Sequence, residues 1–292
     1  MTRRLWPGVA IVGIIAAVAA PSAQQTAKFV ARREVVRVDA LVTDHGKPVT
    51  GLSPEDFDVR DNGVLQKVDL ALADETPINA ILALDLSQSV AGDRLEQLRQ
   101  ANRSIVGVLK PDDKAALIGF SHAVRLHAPL GTDRSGLLGA LDQPAGEGGT
   151  ALFDAAYTGV ILGQTDTGRS LVIIFSDGVD TSSWLTAEAA HDAAQRAGTV
   201  VYAVTTAGAK TDFLKDLVNE TGGSVVEVQS TRNLGAVFLR VLEEFRHRYL
   251  LSYSPSDVPP GGWHRLEVRV RNRSGLTIKA RPGYLIGTRD RD

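Results

Sequence analysis

The sequence predicts an α/β protein built around a doubly wound, mostly parallel sheet, with a small β-rich segment on either side. Continuous apolar runs at 81–84, 115–120 and 170–175 alternate with stretches of helical spacing. Strands with so few polar residues are buried on both faces, as parallel strands are when helices cover the sheet. Before residue 76 and after residue 249 apolar and polar residues alternate instead, which is typical of strands with one face in water.

The N-terminal segment, 24–75, is expected to be all β. Residues 35–42 nearly alternate between apolar and polar side chains, and the sequence Asp-His-Gly-Lys at 44–47 indicates a turn. A hairpin is predicted around Asn62-Gly63, because this pair readily adopts the positive φ angles of a tight turn between two strands.

The central segment, 76–249, alternates strands with helices. Its clearest helical spacing runs from Arg94 to Leu109, and its most apolar strand is 170–175. The other predicted elements are strands at 124–126, 199–204 and 225–228 and helices near 187–197, 212–220 and 233–246.

The C-terminal segment, 250–292, returns to the β pattern. Strands are predicted at 249–253, 264–270 and 276–279, with loops at 258–262 and 272–275. Each β segment is small for an independent domain. We therefore expect 24–75 and 250–292 to form one discontinuous β-sandwich in which the α/β segment is inserted, or which flanks it, since the termini of compact domains often lie close together.

Composition excludes several classes of protein. The 292 residues contain 32 Lys and Arg against 34 Asp and Glu, no cysteine, and 43% hydrophobic residues. The near-neutral charge disfavours a nucleic-acid binder, and the hydrophobic content is enough for a folded core. Without cysteine there is no disulfide framework, no thiolate metal site and no thiol nucleophile. Any chemistry would rest on oxygen and imidazole groups.

The first 23 residues have the layout of a secretory signal peptide. Arg3 and Arg4 precede an apolar run at 9–20, and small residues follow at 21–23. That run is shorter than the roughly 20 residues of a membrane-spanning helix. The sequence therefore predicts an exported protein with no membrane span once the signal is removed, although an uncleaved N-terminal anchor is an alternative.

Hydroxyls and carboxylates follow the predicted strands of the central segment. Asp85-Leu86-Ser87-Gln88-Ser89 comes directly after strand 81–84, Thr150 follows two glycines ahead of a helix, and Asp177 follows strand 170–175. In doubly wound sheets, ligands bind beyond the carboxyl ends of the strands. Oxygen side chains converging there suit a hard cation such as Mg²⁺ or Mn²⁺.

These residues resemble the metal-ion-dependent adhesion site of von Willebrand factor type A domains. The resemblance covers roughly 76–249 and implies a Rossmann-like fold. All five motif positions match: Asp85, Ser87, Ser89, Thr150 and Asp177. It implies that Ser87 and Ser89 bind the metal directly, that Thr150 engages according to conformational state, and that the two aspartates act directly or through water.

The resemblance also implies a partner and a source. The implied metal is Mg²⁺, with Mn²⁺ or Ca²⁺ as alternatives, and the implied partner is a protein that presents an Asp or Glu to it. The flanking segments are similar to those of exported bacterial proteins of this type, in phrases such as Lys47–Leu52 and Arg281-Pro282-Gly283-Tyr284. We therefore expect an interaction module in the periplasm or outside the cell, not an enzyme. The alternative is an envelope scaffold whose metal only stabilises the fold.

Other interpretations of the same residues were weighed. Asp85, Ser87 and Ser89 could cap the helix near Arg94, and Thr150 could be an ordinary cap. A phosphoryl-transfer nucleophile at Asp85 fits poorly, because Ser87 stands where that class has a second carboxylate. Ser121 matches only half of a nucleophile elbow and is expected to be a turn residue. Asp154 either orients a metal-bound water or faces solvent, Asp180 is expected to cap a loop, and four residues are expected to form a solvated strand face: Arg265, Arg269, Arg271 and Arg273.

Overall fold

The computed structural model describes residues 35–72, 76–90, 92–139, 148–166, 168–177 and 179–286. The signal segment predicted at 1–23 lies outside these ranges. The N-terminal strands are β1 (Val36–Asp44), β2 (Lys47–Pro48), β3 (Phe57–Asp61), β4 (Val64–Gln66) and β5 (Leu70–Leu72). The predicted hairpin joins β3 to β4, with φ angles of 47° at Asn62 and 83° at Gly63. These positive angles are the reason for an Asn-Gly pair at this turn.

The α/β part contributes one six-stranded sheet. Its strands are β6 (Ile78–Asp85), β7 (Lys114–Phe120), β8 (Val124–Gly131), β9 (Arg169–Phe175), β10 (Val200–Thr206) and β11 (Ser224–Val228). The spatial order is β11-β10-β9-β6-β7-β8, and all neighbours are parallel except the β7–β8 pair. This confirms the predicted doubly wound, mostly parallel sheet.

Six helices are found among the described residues: α1 (Asp93–Val108), α2 (Arg134–Gly139), α3 (Leu152–Gly163), α4 (Ala187–Arg196), α5 (Asp212–Thr221) and α6 (Leu234–Arg246). Along β6, Leu82 and Leu84 pack with α1 and α6, whereas Ile81 and Ala83 pack with α3, α4 and α5 on the other face. Successive strand residues thus enter two separate cores, which is why the run is apolar throughout. The six-residue α2 was not predicted, and it is shorter than a stretch whose periodicity can be recognised.

The C-terminal strands are β12 (Tyr249–Tyr253), β13 (Gly262–Val270), β14 (Leu276–Lys279) and β15 (Gly283–Ile286), of which β15 was not predicted. They pair with the N-terminal strands in two antiparallel sheets. One sheet has the order β14-β1-β12-β5 with β2 on β1, and the other has the order β15-β13-β3-β4. The two sheets share one apolar core, to which Val38, Phe57 and Leu251 belong. The flanking antiparallel sheets are therefore built from both ends of the chain, while the domain limits at 76 and 249 stay predictions.

The segment Arg281-Pro282-Gly283-Tyr284 has a structural role in this sandwich. The hydroxyl of Tyr284 donates to the buried carboxylate of Asp61 at 2.6 Å, and His264 lies 2.8 Å from the other oxygen of that carboxylate. The buried guanidinium of Arg281 donates to the carbonyls of Gln195 and Ala197 at 2.5 Å each. This segment therefore joins the C-terminal strands to β3 and to the end of α4.

A buried ion pair connects the antiparallel sheets to the α/β part. Arg169 at the start of β9 donates to Asp39 of β1 at 2.9 and 2.5 Å, and both side chains are buried. Within the α/β part itself, Arg246 at the end of α6 donates to Asp113, just before β7, at 2.6 Å. The exposed arginines of β13 and the loop after it confirm the predicted solvated face.

Within the described ranges, none of the helices combines the length and the apolar character needed to cross a membrane.

Candidate metal centre

The candidate site lies at the carboxyl edge of the central sheet, where β6 runs between β7 and β9. In the strand registers, Asp85 is opposite Phe120 and Leu84 is opposite Phe175. The backbone N–H of Leu86 continues the ladder by donating to the carbonyl of Phe120 at 2.7 Å. The chain beyond Asp85 therefore leaves the sheet beside both neighbouring strand ends, as expected for a ligand site in this fold.

Asp85 is the buried carboxylate at the centre of this edge. Its side chain is fully buried, and it accepts hydrogen bonds from the backbone N–H of Ser87 at 2.9 Å and from the hydroxyl of Ser176 at 2.8 Å. Burial raises the pKa of Asp85, the hydrogen bonds from Ser87 and Ser176 oppose that shift, and the nearby charge of Asp177 adds to it. An ionised carboxylate held in this way is stabilised when a cation binds beside it.

The two serines of the motif follow Asp85 on a tight turn. Ser87 is buried, and Ser89 falls in a short 3₁₀ turn at Gln88–Val90, with its side chain outside what the structure describes. Helix α1 begins only after Gly92, which has a φ of 71°, and its N-terminal cap shows no side-chain hydrogen bond. The alternative that Asp85 and the serines cap this helix is therefore wrong.

Thr150 comes to the same edge from the loop before α3. The N–H of Ala151 donates to the carbonyl of Ser121, just beyond β7, at 2.6 Å. The N–H of Thr150 donates to the hydroxyl of Thr181 at 2.8 Å, and the N–H of Thr181 donates back to the carbonyl of Thr150 at 2.9 Å. Thr150, which is 7% exposed, is thus held between the end of β7 and the loop that follows β9.

In the β9–α4 loop, residues 179–186 are held in place by two carboxylates. Asp180 accepts from the backbone N–H groups of Leu152 and Phe153 at 2.8 and 3.2 Å. It was expected to act as a cap in a loop, and the group that it caps is the N-terminus of α3. Asp154 accepts from the N–H groups of Trp184 and Leu185 at 3.0 and 2.9 Å. Neither alternative considered for Asp154 describes this: its carboxylate organises the loop.

Asp177 stands at the start of that loop and contacts Arg94 of α1. Guanidinium nitrogen Nη1 of Arg94 lies 2.6 Å from Oδ2 of Asp177, and the two side chains are 45% and 11% exposed. A charge-assisted bond of this length is among the stronger hydrogen bonds in proteins. A positive charge thus already lies against one predicted metal ligand.

These donors fit a small, hard divalent cation. Asp85 and Asp177 supply negative charge, Ser87 and Thr150 supply buried hydroxyls, and all four lie around the same sheet edge. Among the described residues, no group of three or more His, Asp or Glu side chains is placed to hold a metal. A metal here would depend on hydroxyl oxygens as well as carboxylates, which favours Mg²⁺ over a softer ion.

Sequence reasoning did not assign the roles of Ser176, Arg94 or Trp184. Ser176 adjoins Asp177, and its place at a strand end was the available signal for a role at the site. In the sequence, Arg94 marks only the beginning of a predicted helix. Nothing in the sequence indicated that it reaches a residue 83 positions away. Trp184, 93% exposed, lies in the same loop as Asp177.

The other candidates weighed from the sequence lie outside this cluster or have ordinary roles. Ser121 lies in the connection between β7 and β8 rather than before a helix, as predicted for a turn residue, and its hydroxyl is 3.4 Å from Nδ1 of His122. His191 pairs with Glu220 at 2.8 Å between α4 and α5. Burial, followed by the charge of Arg125, lowers the pKa of His127.

Comparison with known proteins identifies the family. Residues 79–240, more than half of the chain, match the von Willebrand factor type A domain, and the chain belongs to that family. A von Willebrand factor type A protein from Catenulispora acidiphila has a similar structure, with a TM-score of 0.54 and 12% identity over 79% of this chain and 73% of that one. Proximal thread matrix protein 1 from the mussel byssus, in a structure described as having a zinc occupied MIDAS motif, has a TM-score of 0.54 and 15% identity over 64% of this chain and 50% of that one.

At such identities the structural likeness shows the fold alone. Among curated proteins, an uncharacterized protein, sll0103, from Synechocystis sp. is 30% identical over 86 residues. That match covers 29% of this chain and 20% of the relative, so the chain spans about a fifth of the relative it matches. Domains of this family are generally interaction modules.

Proposed function

We propose that this is an exported protein that mediates metal-dependent protein–protein interaction or adhesion through an intact metal-ion-dependent adhesion site. The proposed ligands are Asp85, Ser87, Ser89, Thr150 and Asp177, and the proposed ion is Mg²⁺. The observation that carries the proposal is the convergence of a buried carboxylate, two buried hydroxyls and a second carboxylate at one sheet edge.

The donor set explains how such a site would recognise a partner. A bound Mg²⁺ offers an electrophilic position to an oxygen ligand, and it usually keeps exchangeable waters when few carboxylates hold it. With two carboxylates from this chain, an Asp or Glu of a partner protein completes the shell by replacing a water. The buried Ser87 and Thr150 hydroxyls add oxygen donors without charge, which leaves the ion positive enough to attract that third carboxylate.

The rim of the site supports binding rather than chemistry. Trp184 is 93% exposed, and its neighbours Val179 and Leu185 are also exposed. The backbone N–H groups of Trp184 and Leu185 donate to the carboxylate of Asp154, so the aromatic ring is presented on a fixed backbone. Exposed, preorganised aromatic side chains are frequent anchors of protein interfaces. The hydroxyl of Ser121 and Nδ1 of His122 are 3.4 Å apart, beyond the roughly 2.6–3.2 Å of an activated nucleophile, so this pair does not support a catalytic role.

Export is proposed from the N-terminal segment. The basic start, the short apolar run and the small residues at 21–23 suit a signal peptide, and a cysteine-free chain with an oxygen-only site needs no particular redox environment. The proposed location is the periplasm or the cell exterior of a bacterium.

The test is capture of binding partners from the envelope of the source organism. Purified protein, residues 24–292, is immobilised and exposed to solubilised envelope extract in Mg²⁺ or in chelator. The expected result is a partner that is retained in Mg²⁺, released by chelator, and not retained by Asp85→Ala. Asp44→Ala is the control, since it removes an exposed carboxylate of β1.

Retention of the same partner in chelator, or by Asp85→Ala, would refute the interaction proposal. Melting curves recorded alongside separate it from a purely structural metal. A large fall in melting temperature on chelation, with partner binding intact, would favour the scaffold alternative.

A further inference from the structure

The contact between Arg94 and Asp177 joins α1 to the candidate metal site. The Arg94 guanidinium lies 2.6 Å from Oδ2 of Asp177, a carboxylate whose side chain is 11% exposed. Asp177 also lies near the buried carboxylate of Asp85. The guanidinium of Arg94 therefore offsets one of two neighbouring negative charges. It contacts one of the two oxygens that Asp177 could offer to a metal ion or to a water bound to a metal ion.

The position of Arg94 is not explained by the needs of its helix. It lies in the first turn of α1, where the helix dipole disfavours a positive side chain and favours acids such as Asp93 and Glu96. The other arginines of this helix behave differently. Arg99 and Arg103 pair with Glu96 of the same helix, at 3.4 and 2.7 Å. Arg94 instead contacts a residue of the site.

We propose that Arg94 is a built-in counter-cation that occupies Asp177 while the site holds no metal and that must be displaced when a divalent ion binds. The proposal rests on the metal site of the proposed function. Its consequence is that the chain binds metal more weakly than its oxygen donors alone would allow. Metal binding would also release a guanidinium at the rim, where it would be available to an acidic partner.

Electrostatics explains the competition. A divalent ion at Asp177 and a guanidinium on the same carboxylate would be two positive charges within a few ångströms, and water reaches the guanidinium but screens the 11%-exposed carboxylate only in part. The Arg94 bond must lengthen or break before the ion gains the full interaction with Asp177. The cost of that step is subtracted from the affinity for the metal.

The experiment is calorimetric titration of the purified protein with Mg²⁺, and separately with Mn²⁺, for wild type and Arg94→Gln. We expect Arg94→Gln to bind Mg²⁺ roughly tenfold more tightly, since a charge-assisted bond no longer competes. In chelator its melting temperature should be lower than that of wild type, because the ion pair between Arg94 and Asp177 is lost. Its rise in melting temperature with Mg²⁺ should be larger. A residue with only a structural role would not move these two quantities in opposite directions.

Arg103→Gln is the matched control. Arg103 is 46% exposed, against 45% for Arg94, and its ion pair is also about as short. It lies nine residues further along α1, about 13 Å from Arg94. Removing its charge should leave the Mg²⁺ affinity within about twofold of wild type. Arg94→Lys, which keeps the charge but loses the planar fork, should fall between wild type and Arg94→Gln.

Unchanged or weaker Mg²⁺ binding by Arg94→Gln would overturn the proposal, as would equal tightening in Arg103→Gln. If wild type binds no Mg²⁺, binding by Arg94→Gln supports the proposal and its absence refutes it. These titrations contain no partner. A failure of metal-dependent partner binding would therefore refute the proposed function without touching this result.

Discussion

Replacing Asp85 by Asn should stabilise the metal-free protein while abolishing its response to metal. The side chain is fully buried, and burial raises the pKa of its carboxyl. Asn has nearly the same shape. Its oxygen can accept from the N–H of Ser87, and its amide can donate to the hydroxyl of Ser176, which can act as an acceptor. The change therefore removes a desolvated charge and leaves both neighbours with a partner.

The magnitude follows from these contacts. Removing an unfavourably buried charge at a binding site should raise the free energy of unfolding in chelator by about 1 kcal/mol, or about 2–4 °C in melting temperature. Asp85→Ala removes the acceptor of three hydrogen bonds, from the N–H and hydroxyl of Ser87 and from the hydroxyl of Ser176, and should instead lower the free energy by about 1–3 kcal/mol. In Mg²⁺ at 100 times its dissociation constant, wild type should gain about 2.7 kcal/mol. Asp85→Asn should gain almost nothing.

The assay is differential scanning calorimetry of wild type, Asp85→Asn and Asp85→Ala in chelator and in Mg²⁺. The order of wild type and Asp85→Asn should reverse between the two conditions. Asp44→Asn, which changes an exposed carboxylate, should track wild type in both. If Asp85→Asn were as unstable in chelator as Asp85→Ala, the carboxylate would be a net stabiliser of the empty site, and the reasoning would be wrong.

Three further predictions concern the surroundings of the site. A methyl group at Gly149 would overlap the hydroxyl oxygens of Thr181 and Ser182. Gly149→Ala should therefore displace Thr150 and weaken Mg²⁺ binding, measured by calorimetry, at least tenfold. The control is Gly107→Ala, which has open space around the added methyl group and should not weaken binding. Burial would raise the pKa of Asp113, but hydrogen bonds from Arg246 and two backbone N–H groups outweigh burial and lower the pKa below 3.8. The ionised Asp113 therefore adds to the free energy of unfolding above pH 3.8, and this contribution is lost as the pH falls through the pKa of the folded state. In urea titrations, the stability of Asp113→Asn should depend less on acid pH than that of wild type. Arg281→Met should leave the carbonyls of Gln195 and Ala197 without this donor, and amide hydrogen exchange should be faster in β15; exchange as slow as in wild type would show that the anchor is dispensable.

Most elements of the fold could be predicted because their signals are local. The apolar run at 170–175 became β9, which begins at Arg169, and the spacing predicted from Arg94 became α1 from Asp93 to Val108. The Asn62-Gly63 turn followed from the backbone preferences of two residues. Helix α2 and strand β15 were missed because six and four residues are too few for a period to stand out.

The supports of the site were less accessible than its proposed ligands. Asp180 was expected to act as a cap, but that it caps α3, a helix that begins 28 residues earlier in the chain, required the structure. Asp154 was expected to face a metal-bound water or solvent, and it instead binds the backbone of a loop about 30 residues away. Side-chain carboxylates satisfy whichever donors the fold brings to them, and sequence spacing does not reveal those donors.

The sequence by itself determined the alternation of strands and helices and the oxygen-bearing residues at the strand ends, because periodicity and turn chemistry are properties of neighbouring residues. It also carried the family resemblance, through five residues in the right order. Only the tertiary structure decided that β6 lies between β7 and β9, which brings Asp85, Thr150 and Asp177 to one edge. It also decided that the two ends of the chain share one core and that Arg94 occupies Asp177. These features depend on contacts between residues about 30 to more than 200 positions apart, whose free energies appear only once the chain is packed.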